Sequence, residues 1–160
     1  MGRLLNLIVL CALGGLAYWA WSTPAEPEWR ELGEYQWRER LSDEQYEVLR
    51  EGSTEDAYSG ELLKESRKGV YHCAGCGSSL FESKAKFDSG TGWPSFDRPL
   101  TGQAVTHHRH NTVLAVAVEV KCAKCGGHLG HVFPDGPTDT GNRYCMNSVA
   151  LSFTAENGEK

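Results

Sequence analysis

The chain has 160 residues, among them 18 glycines and six cysteines, and a formal net charge of -5. That length gives one domain plus a short extension, and a small glycine-rich core gains from a staple such as a metal ion. Polyanion binding needs a basic surface, and the balance argues against one: beyond the first 22 residues, 15 Lys and Arg stand against 21 Asp and Glu.

In chain order, the first element is Leu4 to Trp21, an 18-residue stretch without charge. As a helix it spans about 27 Å, close to the roughly 30 Å hydrocarbon core of a bilayer. Trp19 and Trp21 close it as an interfacial belt would, with Arg3 before it and Glu26, Glu28 and Glu31 after it. That order puts the N-terminus in the cytosol and the main domain on the extracytoplasmic, periplasmic or extracellular, side. Two readings are open for residues 1–22: an uncleaved signal-anchor forming one transmembrane helix, or a signal peptide cleaved to release a secreted domain.

Residues 23–40 read as a linker or draping segment, and 41–155 as the folded domain with a five-residue tail, 156–160. Ser42 with Gln45 predicts a capped helix start, Tyr46, Val48 and Leu49 its apolar positions, and Gly52 its stop. A second short helix is expected around Glu55 to Glu65. From Val70 onward short runs bounded by Gly, Pro, Asp and Asn predict a mainly β domain. Thr112 to Lys121 is the clearest strand and Val149 to Thr154 another.

Four cysteines form two knuckles, Cys73-x2-Cys76 and Cys122-x2-Cys125, each followed by glycine. Four thiolates suit a closed tetrahedral zinc site, one Zn2+ per chain. Redox-active pairs or disulfides are the other reading in an exported domain. A further alternative joins Cys122 and Cys125 to His128 and His131, stranding Cys73 and Cys76. Cys145, in Arg143-Tyr144-Cys145-Met146-Asn147, has no partner nearby and is the candidate nucleophile. On an extended strand, residues 143, 145 and 147 share a face, so Arg143 and Asn147 flank the sulfur, and a guanidinium favours thiolate. His128 and His131, on a loop shaped by Gly126, Gly127 and Gly130, suit general acid work near neutral pH. Gly92-Trp93-Pro94-Ser95-Phe96 is a rigid turn displaying an aromatic. His107, His108 and His110 read as surface residues.

Tyr71-His72-Cys73-Ala74-Gly75-Cys76, Gly92-Trp93-Pro94-Ser95-Phe96, Gly127-His128-Leu129-Gly130-His131-Val132-Phe133 and Arg143-Tyr144-Cys145-Met146-Asn147 together resemble the B-type peptide methionine-R-sulfoxide reductases, over roughly Leu41 to Phe153. The resemblance implies two antiparallel sheets, short N-terminal helices and a zinc held by Cys73, Cys76, Cys122 and Cys125 away from the active site. It implies that Cys145 attacks the sulfoxide sulfur and becomes a sulfenic acid. His128 and His131 would supply the proton, Asn147 would orient them, and Trp93 would pack against the substrate methyl, with Arg143 beside the substrate. The substrates implied are oxidised proteins carrying methionine-R-sulfoxide. Many members carry a resolving cysteine just before the Gly-Trp-Pro-Ser-Phe run, where this chain has Thr91. The expectation is therefore a one-cysteine cycle in which an external thioredoxin-like donor reduces the sulfenic acid. The reading from another class is a zinc-ribbon interaction or nucleic-acid-binding module, which would leave Cys145, His128, His131 and Trp93 without a role.

Overall fold

The computed structural model describes residues 26–109 and 118–156. The apolar 4–21 stretch lies outside those residues, as do Cys11, His110 and residues 112–117 of the expected long strand. Among the described residues no helix is long and apolar enough to cross a membrane.

Helix α1 (Glu34–Arg38) and helix α2 (Asp43–Glu51) precede the β domain. The expected capping box closes α2: Gln45 N donates to Ser42 Oγ and Ser42 N donates to Gln45 Oε1, both at 3.2 Å. Gly52, at φ 79°, ends it in the left-handed conformation that glycine adopts without Cβ strain. Tyr46, Val48 and Leu49 are buried, each contributing about 1.5–3 kcal/mol of apolar transfer if fully buried.

Residues 26–40 drape over the domain and are anchored there. Trp37 is 2% exposed, with the Arg50 guanidinium 4.6 Å from its ring centroid. Glu26 pairs with Lys124 at 2.5 Å, and Arg30 Nη2 donates to the Ala123 carbonyl at 2.6 Å. No helix fills 55–65; only a 3-10 turn, Glu61–Lys64, forms. The physical reason is local: Tyr58 sits at φ 69° and donates its backbone N–H to Gly92 O at 2.8 Å, so the chain is spent on a tertiary contact.

The β domain is two antiparallel sheets. One is three-stranded, with β1 (Gly69–Cys73) between β2 (Ser79–Glu82) and β9 (Leu151–Ala155). The other runs β3 (Lys86–Phe87), β4 (Ser95–Phe96), β8 (Arg143–Met146), β7 (His128–Phe133), β6 (Val118–Cys122), β5 (Val105–His108). The described part of the expected long strand is thus β6, and the C-terminal strand begins only after a 3-10 turn, Ser148–Ala150. Phe96 lies between Phe81, stacked at 4.4 Å, and Tyr71, edge-on at 4.9 Å, and joins the two sheets. His107 and His108 are exposed on β5.

Candidate active site

Sulfur is placed in two separate settings. The first is the pair of knuckles, which are the turns between β1 and β2 and between β6 and β7. Gly77 and Gly126, at φ 72° and 74°, let each turn close on itself. Their amides donate to Cys73 O at 2.8 Å and Cys122 O at 2.9 Å. The four sulfurs are buried and lie within 4.8 Å of one another. Cys73 Sγ is 3.7 Å from Cys125 Sγ, and Cys76 Sγ is 3.6 Å from Cys122 Sγ. Disulfides require about 2.05 Å, so these are not disulfides. A tetrahedron with Zn–S bonds of about 2.3 Å has an edge of about 3.8 Å, which these separations match. The donor set therefore fits a tetrahedral metal ion of zinc's size and softness. His128 is not part of the cluster, which removes the mixed cysteine–histidine alternative.

The second setting is a cavity of about 140 Å³ lined by Thr54, Trp93, Gly130, His131, Phe133, Cys145 and Asn147. Larger clefts of about 590 and 690 Å³ occur elsewhere, but no cysteine lines either. Strand β8 brings Cys145 opposite Ser95 of β4 and His131 of β7. Cys145 is half-buried between buried Tyr144 and Met146. Gly130 makes the β7–β8 approach possible: a Cβ there would lie 2.2 Å from the Cys145 carbonyl oxygen. The histidines thus lie on a strand rather than a loop. The glycine between them serves close packing, not a turn.

Asn147 is 2% exposed and fully engaged. Its Nδ2 donates to Leu129 O at 3.1 Å, and its Oδ1 accepts from Glu55 N at 3.1 Å. Trp93 Nε1 donates to Glu55 O at 3.2 Å. The Glu55 carboxylate accepts from Ser148 N at 2.8 Å and Val149 N at 2.9 Å. Glu55 therefore ties the Trp93 wall of the cavity to its Asn147 wall. Nothing in the sequence marks Glu55 for this role, because one acid at the start of an expected helix reads as a solvated surface group.

His128 does not line the cavity. It is 4% exposed, its Nδ1 lies 2.8 Å from Glu119 Oε1, and its ring centroid is 5.3 Å from that of His131. An ionised carboxylate only accepts, so Nδ1 carries the proton. The sequence signal for Glu119 is a lone acid inside an apolar strand, and the fold pairs it in register with His131. Arg143 does not line the cavity either. Its Nε and Nη2 both donate to Asp135 at 2.8 Å, and its guanidinium lies 4.4 Å from the Phe133 ring centroid. Burial pushes the Cys145 thiol above its ordinary range, and Thr91, the Arg143 guanidinium and Ser95 pull it back.

The sequence model of the SelR domain matches residues 41–155. The chain belongs to the SelR domain family. Among its curated relatives, the peptide methionine sulfoxide reductase MsrB of Bradyrhizobium diazoefficiens is 58% identical over 120 residues, covering 75% of this chain and 86% of that protein. The protein of the same name from Thiobacillus denitrificans is 56% identical, covering 74% and 89%, and that of Methanosarcina mazei 51% identical, covering 79% and 90%. Among solved structures, the Mis18 "Yippee-like" domain aligns at TM-score 0.42 and 21% identity over 55% of this chain and 96% of that one, a likeness too slight to carry an argument. In this SelR domain both the cysteine cluster and the Cys145 cavity fall inside the matched region.

Proposed function

We infer that this SelR-domain protein reduces methionine-R-sulfoxide in oxidised proteins to methionine. The observation that carries the chemistry is the convergence of Cys145, His131, Trp93 and Asn147 on one small cavity. Drug-sized sites run from about 300 Å³ upward, so this one suits the end of a single side chain presented by a protein. The Cys145 thiolate attacks the sulfoxide sulfur while the oxygen takes up a proton. The attack forms a transient S–S bond; that bond and the methionine S–O bond then break as the hydroxyl passes to the Cys145 sulfur, leaving methionine and a Cys145 sulfenic acid, with two electrons passed from cysteine to substrate. His131 faces the reacting centre and delivers the proton, with His128 behind it as relay held by Glu119. Asn147 holds the chain on the far side of Cys145. Trp93 walls the substrate methyl and so selects the R configuration. Arg143, occupied by Asp135, acts by its charge near the sulfur rather than as a substrate ligand.

With Thr91 beside Cys145 and the other described cysteines gathered in the cluster, no described cysteine is placed to resolve the sulfenic acid. A thioredoxin-like dithiol supplies the two electrons from outside: the dithiol becomes a disulfide, Cys145 returns to thiol, and water leaves. The four-cysteine cluster holds zinc, which contributes to folding and takes no part in the reaction. The 4–21 stretch tethers the domain to a membrane, with the catalytic domain extracytoplasmic. Partition of the full chain between membrane and soluble fractions tests that placement. The activity itself is tested by offering a methionine-sulfoxide peptide as separate R and S epimers. Consumption of R alone is expected; consumption of S alone, or of neither, overturns the assignment.

A further inference from the structure

Three hydroxyls form a continuous run ending at the reactive sulfur. Ser95 Oγ is 3.2 Å from the Trp93 carbonyl, Ser89 Oγ is 2.8 Å from Ser95 Oγ, and Thr91 Oγ1 is 2.8 Å from Ser89 Oγ. Thr91 Oγ1 then lies 3.9 Å from Cys145 Sγ. Only one role in this run is fixed by chemistry: the Trp93 carbonyl can only accept. When Ser95 donates to Trp93, the two 2.8 Å contacts make Ser89 donate to Ser95 and Thr91 donate to Ser89, so the run points away from the sulfur. Ser89 Oγ also accepts from the Thr91 amide at 3.4 Å. The run can also reverse at the cost of the 3.2 Å Ser95–Trp93 contact: Ser95 donates to Ser89, Ser89 to Thr91, and the Thr91 proton is released toward Cys145. Against a Cys145 thiol the first arrangement holds and Thr91 accepts from the S–H; against a thiolate the reversed arrangement lets Thr91 donate to the sulfur.

The loop carrying Thr91 is held on both sides. Tyr58 donates its hydroxyl to Gly90 O and its backbone N–H to Gly92 O, each at 2.8 Å, and Gly90 N donates to Asp88 Oδ1 at 2.9 Å. Gly90 and Gly92 take φ values of 70° and 94°, so the two glycines bracket Thr91 in a conformation suited to them. We propose that Thr91 is a positioning residue for the Cys145 thiolate: its hydroxyl, aimed by Ser89 and Ser95, donates to the sulfur in the charged form that attacks. This rests on the reductase reading of the same site and adds a residue to it.

The groups facing Cys145 allow such a donor to matter. From β7 it meets His131, from β4 Ser95, and on its own strand Arg143, whose guanidinium is shared with Asp135. Among the described residues, no carboxylate lines the cavity. A half-buried thiol with one shared cation nearby gains from each donated hydrogen bond, and the Thr91 hydroxyl pulls the Cys145 thiol down against the effect of burial.

The test is the pH dependence of iodoacetamide alkylation, read at the Cys145 peptide by mass spectrometry, for the full chain and for Thr91→Val, Thr91→Ser and Ser89→Ala. A hydrogen bond to a charged group corresponds to about one pH unit. Thr91→Val should raise the alkylation midpoint by about that much, Ser89→Ala by a fraction of it, and Thr91→Ser should restore the midpoint of the unaltered chain. Wild-type-like midpoints in Thr91→Val, or a raised midpoint in Thr91→Ser equal to that of valine, overturn the proposal. Turnover of the R epimer is followed in parallel by the unaltered chain. Its absence sinks the reductase reading without touching the alkylation result.

Discussion

Cys145 and the four knuckle cysteines are the same side chain in opposed surroundings. The knuckle sulfurs are buried, 3.6–3.7 Å apart in pairs, at turns whose glycine amides close back on the chain. Cys145 stands singly on a strand, half-buried, with a hydroxyl, a histidine, an amide and an indole around one cavity. Clustering suits sulfur to be a ligand, because four thiolates at that spacing could share one cation. Isolation beside polar groups leaves sulfur as a nucleophile. The contrast lies in what each strand end places next to the sulfur, not in the cysteine itself.

Breaking either side should have separable effects. Cys145→Ser should lower R-epimer turnover by about a thousandfold or more, with metal content and circular dichroism unchanged. Cys76→Ser should instead lose the metal. Because zinc in such sites is worth on the order of 10 kcal/mol, comparable to the whole stability of a small domain, the measured result should be an unfolded or strongly destabilised chain. Thr91→Cys would add a second thiol beside Cys145 and leave the four knuckle cysteines as they are. With Thr91 Oγ1 3.9 Å from Cys145 Sγ, turnover should then end in an intramolecular disulfide, visible by mass spectrometry and absent from the unaltered chain. Asn147→Ala strands Glu55 N, a buried polar loss costing about 1–3 kcal/mol, while Leu129 O keeps its 2.8 Å bond from the backbone amide of residue 147. It should cut kcat about ten- to a hundredfold with a smaller change in KM. The smallest change is expected from Asp135→Asn, since Asp135 is exposed and its pair with Arg143 is partly open to solvent. Exposed pairs contribute about 0–1 kcal/mol, so turnover should move by less than about fivefold.

The pH sign follows from burial. Burial raises the Cys145 thiol above its ordinary range, so the thiolate is the minor form at neutral pH. Single-turnover reduction should therefore rise as pH increases from neutral toward that raised value. A rate that falls steadily over the same window would contradict thiolate attack.

Motif residues were legible because their spacing is itself structural. Two CxxC turns fix four sulfurs, and the capping box from Ser42 to Gln45 with Gly52 fixes one helix. What the sequence hid was tertiary. Nothing local marks Glu55 as the hub between Trp93 and Asn147, because its partners are backbone groups about 40 and 90 residues away. Tyr58 turns the expected 55–65 helix into a loop by bonding to Gly92, a cost no local propensity reveals. The histidines were read as a loop because three glycines surround them, yet Gly130 is there so that β8 can approach β7. Residues 26–40 carry linker composition, while Trp37 belongs to the core.

The division of labour among the sulfurs is tested most directly by one mass measurement. The fully reduced, metal-loaded chain is given methionine-R-sulfoxide without any reductant, and each cysteine peptide is read after one turnover. One oxygen on Cys145, trapped as sulfenic acid, with Cys73, Cys76, Cys122 and Cys125 unchanged and metal retained, is the predicted result. A disulfide between Cys145 and any knuckle cysteine, or oxidation falling on the knuckles with Cys145 untouched, would contradict the account.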